Sequence, residues 1–255
     1  MTESIDRLPI ALVLAAGLGR RLGDMTTALP KALIELNGIS LLERTLRALE
    51  AAGFHEALVV TGHEATRING FLDERKGTMH ARSLFNAHFA EANNIVSLLC
   101  AADALEHGFC LLNSDIIFEP SMLADVSSSG PGTWLVVDGD EPLGAEEMKV
   151  QLDDAGFMCR INKALDPEQS AGEYIGIVRV DDVGAALILD SARRLVAEGR
   201  TNLYYEDAMD ATAANLRARV IGTHGRAWTE VDDLRDYQRA QRVATEIDSG
   251  TKVSQ

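Results

Sequence analysis

Ile10-Ala11-Leu12-Val13-Leu14-Ala15-Ala16-Gly17-Leu18-Gly19-Arg20-Arg21-Leu22 is the stretch on which the rest of the chain is read. Its opening residues, Ile10 to Leu14, form a short unbroken apolar run, the pattern of a strand covered on both faces. The glycines that follow let a backbone approach a ligand closely and aim N–H groups at an anion. Arg20 and Arg21 add permanent charge and forked donors suited to phosphate oxygens. Farther on, Pro30-Lys31 places a lysine after a rigid residue, in a position to serve the same phosphates. Three simpler readings compete. A dinucleotide fingerprint wants a third glycine where Leu22 stands, although Gly23 is next door. A P-loop wants Gly-Lys-Ser/Thr after its glycines, which is absent. A plain turn between strand and helix would explain the glycines, but not the arginines and Pro-Lys as well.

Outward from this stretch, strand-like and helix-like segments alternate. Leu41, Leu42, Leu46 and Leu49 recur at helical spacing across Ser40 to Ala52, with Gly53 as the residue that ends the helix. Ala57 to Thr61 reads as a strand, Asn94 to Leu105 as a helix, and Phe109 to Leu112 as a buried strand stopping at Asn113-Ser114-Asp115. This order calls for a parallel sheet with helices on both faces. Thr133 to Val137, Lys149 to Leu152 and Tyr174 to Val180 look like strands of a β-rich extension. Val183 to Glu198 and Asp233 to Thr245 are predicted helices. The predicted fold is α/β: a Rossmann-like, mixed but mostly parallel sheet. It forms one domain over 1–255, with a core of about 8–245 and a frayed tail at 246–255.

Composition excludes several classes of function. The chain has 255 residues, 46% hydrophobic and 25% charged, with 24 Lys+Arg against 39 Asp+Glu and a net charge of −15. That balance fits a globular protein and opposes binding to a nucleic-acid backbone or an anionic lipid surface. The run from Pro9 to Gly17 is too short to cross a bilayer, and Glu3 and Asp6 precede it where a signal peptide would be cationic. Cys100, Cys110 and Cys159 form no C-x-x-C pair and read as buried small hydrophobes in a reduced compartment. A cytoplasmic location is expected. The six scattered histidines lack metal-ligand spacing, and no nucleophile elbow is present.

L-A-A-G-x-G-x-R followed by P-K resembles the signature of nucleotidyltransferases that join an NTP to a phosphorylated sugar or alcohol. Within that superfamily, the chain is most similar to the small CTP-dependent cytidylyltransferases acting on phosphocholine, inositol phosphate or phosphonates. The resemblance spans about Ile10 to Arg242. It implies transfer of CMP from CTP to a small phospho- or phosphono-alcohol, Mg²⁺ as cofactor, and CTP and the acceptor as partners. No nucleic acid or membrane is implied, and a homodimer is left open. It further implies that Leu14, Ala15, Ala16, Gly17, Gly19 and Arg20 bind the nucleotide, while Arg21 and Lys31 offset the charge of the triphosphate. Mg²⁺ prefers oxygen ligands, usually one or two carboxylates completed by phosphates and water. Asp115, delivered by a strand end, resembles the family's metal-binding acid; many members carry Gly where Ser114 stands. Asp232, in Trp228-Thr229-Glu230-Val231-Asp232-Asp233, resembles a late W-x-E-I-D element. Asp233 then caps the last helix and Glu230 is a lesser metal candidate.

Asn93-Asn94-Ile95-Val96-Ser97-Leu98 is similar to the family's N-N-I-x-S-L stretch, with Asn93, Asn94 and Ser97 as base contacts. Asn94 is equally suited to cap a helix. Lys149 and Lys163 would face the acceptor's anionic group, although solvated surface lysines are the common case. Arg160, Glu173, Tyr205 and Glu206 are the remaining candidates for acceptor binding. A choline head would want an aromatic cage, with Trp134, Tyr174, Tyr204, Tyr205 and Trp228 to draw on. Two alternatives stay open: a sugar-1-phosphate nucleotidyltransferase using UTP or dTTP, and a nucleotide-sensing module without catalysis.

Overall fold

The computed structural model describes residues 8–27 and 29–250. The opening apolar run is strand β1 (Ile10–Ala15), followed by a loop and a 3-10 segment (Arg20–Thr26). A second 3-10 turn (Lys31–Leu33) leads to the short hairpin β2 (Glu35–Leu36) and β3 (Ile39–Ser40), then α1 (Leu41–Ala51). The Ser40 hydroxyl accepts from the Glu43 N–H and starts α1; Gly53, at φ +90°, ends it. Next come β4 (Glu56–Thr61), α2 (Ala65–Glu74) and β5 (His80–Phe85). The helix predicted over 94–105 is two helices, α3 (Asn94–Cys100) and α4 (Ala102–Leu105), parted at Ala101. Neither glycine nor proline marks that break, and the structure gives no local cause for it.

The chain continues through β6 (Phe109–Asn113), β7 (Ile116–Phe118), α5 (Ser121–Ser128), β8 (Trp134–Asp138), β9 (Lys149–Leu152) and β10 (Met158–Asn162). After β11 (Gly172–Val180) come α6 (Asp182–Ala197), α7 (Tyr205–Asp210), α8 (Ala213–Leu216), β12 (Arg219–Gly222), β13 (Trp228–Glu230) and α9 (Leu234–Ser249). The expected tail is therefore helical through Ser249; 251–255 lie outside the described residues.

Nine strands make one mixed sheet in the order β10-β9-β11-β6-β1-β4-β5, with β8 on β11 and β12 on β8. Strands β6, β1, β4 and β5 run parallel, and β11 runs against β6. The strands of the predicted extension, β8, β9 and β11, belong to this same sheet, and β10, which the sequence reading did not include, continues it beyond β9. Alternate residues of β1 face opposite ways. Leu12 and Leu14 meet α3, α6 and α7, while Ala11, Val13 and Ala15 meet α1, α2 and α5. Two buried faces explain why the strand reads as unbroken hydrophobic sequence. A third cluster sets Ala240 and Ala244 of α9 on Leu22, Ile34, Leu36 and Ile117.

Along one edge of β11, β6 pairs with Ile177–Val180 and β9 with Gly172 and Glu173, so the two strands lie end to end. Gly176 sits at the break with φ +84°, where a Cβ would stand 2.6 Å from the Asn113 amide. The sheet thus opens at the carboxyl end of β6, where α/β sheets bind ligands. Among the cysteines only Cys110 is buried. Cys100 and Cys159 are exposed, because each falls on the outward side of its element. Among the described residues, no helix is long and apolar enough to cross a membrane.

Candidate active site

A cleft of about 280 Å³ lies at this opening. Its floor is Leu14 to Gly17 at the end of β1. A Cβ at Gly17 would point into open space, which keeps the loop's face clear for a bulky anion. Gly19, at φ +60°, turns the chain away, and Thr26 Oγ1 closes the turn on the Gly19 carbonyl at 2.9 Å. Gly62, just past β4, passes beneath this loop: a Cβ there would stand 2.6 Å from the Ala16 carbonyl and 2.4 Å from Phe89 Cβ. Gly19 and the exposed Arg20 are not among the residues lining the cleft, although both were expected to meet the nucleotide. The turn that Gly19 makes directs the chain outward.

Pro30 leads Lys31 into the cleft. Its ammonium donates to Asp115 Oδ2 at 2.8 Å and to Asp232 Oδ1 at 2.5 Å, while Arg21 holds Asp232 Oδ2 at 2.5 Å. The aspartates converge because β13 pairs with β7 and the Val231 N–H donates to the Asp115 carbonyl at 2.8 Å. Asp233 caps α9 in reciprocal bonding with Asp236, which leaves Asp232 free to turn into the cleft. Burial alone would push the Lys31 ammonium down, but Asp115 and Asp232 outweigh it and hold it above the usual lysine range. Asp232 is held low in turn: burial opposes its ionisation, and Lys31 and Arg21 overcome that. Burial, with Asp115 and Asp232 beside it, pushes Glu230 up to about 8.

Two carboxylates already gathered around one ammonium suit a cation, and Asp115 Oδ1 is buried with no hydrogen-bond partner among the described residues. No cluster of three or more His, Cys, Asp or Glu set to hold a metal occurs among the described residues. Asp115 and Asp232 therefore fit Mg²⁺ in the manner that uses two carboxylates and completes the shell with phosphates and water.

At one end of the cleft stand Phe89, Asn93, Asn94 and Ser97. Asn93, not Asn94, caps α3, accepting from the Asn94 N–H at 2.8 Å. Asn94 Oδ1 accepts from the Tyr205 N–H, which leaves its amide NH₂ as the donor it offers a ligand. Ser97 is buried and accepts from the Asn86 amide.

Tyr204 and Glu206 flank the Tyr205 N–H bound to Asn94, and with Glu146, Met148, Lys163 and Glu173 they make up the acidic end of the cleft. Lys163 lies 5.6 Å over the Tyr204 ring. Several expectations fail at this end. Lys149 is 1% exposed and donates to the carbonyls of Lys163 at 2.6 Å, Glu147 at 3.0 Å and Ala145 at 3.4 Å. All three of its donors are thus spent fastening the loop, and it does not face the acceptor. Arg160 points outward from the edge strand and pairs with Asp210 at 2.9 Å. Tyr205 is packed in the core, its hydroxyl on Tyr174 at 2.9 Å and on Asn113 at 3.3 Å. Glu146 and Met148 escaped the sequence reading, since Lys149 drew attention to the opposite side of the same segment.

Residues 11–152 match the MobA-like NTP transferase domain. The chain belongs to that family. Within the same length of chain, the 2-aminoethylphosphonate cytidylyltransferase of Lancefieldella rimae is 30% identical over 236 residues, 88% of each protein. The CMP-5′-(3-aminopropyl)phosphonate synthase of Streptomyces rubellomurinus is 27% identical over 92% of this chain, which spans 39% of that longer protein. The solved CTP:phosphocholine cytidylyltransferase of Streptococcus pneumoniae superposes with a TM-score of 0.81, covering 93% of this chain and 99% of that one, at 22% identity. That likeness speaks for the NTP transferase fold alone.

Proposed function

We propose that the chain is a Mg²⁺-dependent cytidylyltransferase: CTP + phospho- or phosphono-alcohol → CMP-linked product + pyrophosphate. The observation that carries this reading is the meeting of Lys31, Asp115 and Asp232 beside an open glycine loop. Cytidylyltransferase relatives that share most of the chain favour CTP. The backbone from Ala15 to Gly17 cradles the triphosphate, with Arg21 and Lys31 beside it. Asn93, Asn94 and Ser97 border the base. Lys163 draws the acceptor's anionic head toward the α-phosphorus.

An acceptor oxygen forms the new P–O bond as the bond from the α-phosphorus to the bridging oxygen breaks, and pyrophosphate leaves with that electron pair. The acceptor oxygen is already ionised at neutral pH, so the chain need not supply a strong base. Mg²⁺ held by Asp115 and Asp232 would offset the negative charge that spreads over the phosphates. The protein's own share is alignment and fixed positive charge. Pyrophosphate release, measured with each of the four NTPs against phosphocholine, phosphonates and sugar 1-phosphates, tests the reading. Turnover confined to UTP or dTTP with sugar phosphates would overturn it, and so would tight CTP binding with no turnover.

A further inference from the structure

At its glycine end the cleft sets Arg21 and Lys31 against Asp115 and Asp232, while its acceptor end carries an excess of acids. Glu146, Glu173 and Glu206 surround Lys163 there. Glu206 is 4% exposed, borders the cavity, and its Oε2 finds no hydrogen-bond partner among the described residues. A buried carboxylate oxygen without a donor is costly, and a ligand that supplies the donor recovers that cost. Past Glu173 the cleft opens into a second lobe of about 360 Å³, where Asp138, Glu141 and Glu147 outnumber Arg239.

Three kinds of acceptor tail can be weighed against this surface. A quaternary ammonium wants aromatic faces around it. Tyr174 and Tyr205 are 2% and 1% exposed with their hydroxyls joined, and Trp134 is stacked by Arg219 away from the cleft. Trp228 gives its N–H to Asp138, and of the rings lining the main cavity Tyr174 is almost wholly buried and Phe89 stands by Asn93 and Asn94, so Tyr204 is the one exposed tyrosine face beside Glu206 rather than a cage. A hydroxyl could bond Glu206 Oε2, yet would leave the repulsion among Glu173, Glu147 and Asp138 as it is. A primary ammonium does both, with a compact charge and three donors.

We propose that the acceptor is an aminoalkyl phosphonate or phosphate whose primary ammonium is read by Glu206, with Glu173 as the second negative charge, while its anionic head lies at Lys163. This rests on the cytidylyl-transfer reading above. Burial pushes Glu206 up to about 7, against its own N–H, the Tyr205 hydroxyl and Lys163, which reach the carboxyl but leave Oε2 without a donor among the described residues. Burial together with Glu147 and Asp138 pushes Glu173 up to about 7. An ammonium at Glu206 keeps it ionised, and its charge also favours the ionised form of Glu173.

The test is CTP-dependent pyrophosphate release with four acceptors: 2-aminoethylphosphonate, phosphoethanolamine, 2-hydroxyethylphosphonate and phosphocholine. The expected kcat/KM for the better amine exceeds that for the hydroxyl and quaternary acceptors by on the order of a hundredfold. Comparing the two amines shows whether the head is phosphonate or phosphate. In Glu206→Gln, the amine-to-hydroxyl ratio should fall by roughly tenfold or more. Glu173→Gln, a milder change at a less buried site, should lower the same ratio. Equal kcat/KM for amine and hydroxyl acceptors refutes the proposal while cytidylyl transfer stands, and so does an unchanged ratio in both variants. Turnover of none of the four, against turnover of another NTP or acceptor, removes the parent reading and this one with it.

Discussion

Replacing Lys31 with alanine separates catalysis from cation binding in a way the geometry makes specific. The ammonium stands 2.8 Å from Asp115 and 2.5 Å from Asp232, with only 12% of the side chain exposed. A unit charge about 4 Å from a phosphate charge contributes on the order of 4 kcal/mol at an effective dielectric near 20. Partial solvent screening brings that to about 3 kcal/mol, equivalent to two or more powers of ten in rate. Pyrophosphate release at saturating Mg²⁺ and CTP should therefore fall by about a hundredfold or more in Lys31→Ala. The same substitution removes the cation that competes for the two aspartates. Calorimetric titration of the nucleotide-free protein should then show Mg²⁺ binding more tightly than in the wild type. Both aspartates are partly exposed, so stability should drop by only about 1 kcal/mol, read from the melting temperature. Near-normal turnover would refute the role given to Lys31. A loss of turnover with unchanged or weaker Mg²⁺ binding would refute the pairing of Asp115 and Asp232 as its ligands.

Lys149→Met keeps the side chain's bulk and strips the donors from three carbonyls; stability should fall by about 2–4 kcal/mol, with the folded fraction still turning over. If turnover is lost with the melting temperature unchanged, Lys149 acts in the chemistry after all. Glu206 ionises near 4.5 when unfolded and near 7 in the fold, so the folded state holds the extra proton between those values. Stability should thus decline as pH rises from about 4.5 to 7, by on the order of 3 kcal/mol, and Glu206→Gln should flatten that decline. Thermal melts across that range decide it; parallel curves for the two proteins would count against a buried, strained carboxylate. Gly62→Ala places a methyl against the Ala16 carbonyl and Phe89, so the phosphate loop must shift. The KM for CTP should rise by roughly tenfold while the amine-to-hydroxyl preference is kept.

Features that act locally were legible in the sequence. β1, the end of α1 at Gly53 and the cap of α9 at Asp233 each follow from a few adjacent residues, and all three are present. The meeting of Asp115 with Asp232 depended on the resemblance to known transferases, since nothing near Asp115 announces a ladder between β7 and β13. Short or half-exposed elements were missed. β7 has three residues, and β5 is an edge strand whose His80 and Arg82 interrupt the apolar signal. Lys149 and Lys163 are indistinguishable as residue types, yet one is buried under carbonyls and the other lines the cleft. Arg160 finds its partner, Asp210, on a different element, and no pattern within the edge strand points there.

The two ends of the cleft differ in charge balance because they are built from different parts of the sheet. The parallel half, through β1 and its loop, brings Arg21 and Lys31; the antiparallel half, through β9 and β11, brings Glu146 and Glu173. A chain of net charge −15 would repel a triphosphate at long range, so the cations must be local and their field focused by the enclosing walls. The same net charge lets a positively charged tail approach the acidic end at no comparable electrostatic cost. A small molecule with one anionic and one cationic end would be turned by this difference before it touches either wall, its cationic tail toward Glu173 and Glu206. Orientation of that kind weakens with salt. The kcat/KM for an amine acceptor should therefore fall with ionic strength more steeply than that for the matched hydroxyl acceptor, and equal salt dependence would mean that the acidic end takes no part in alignment.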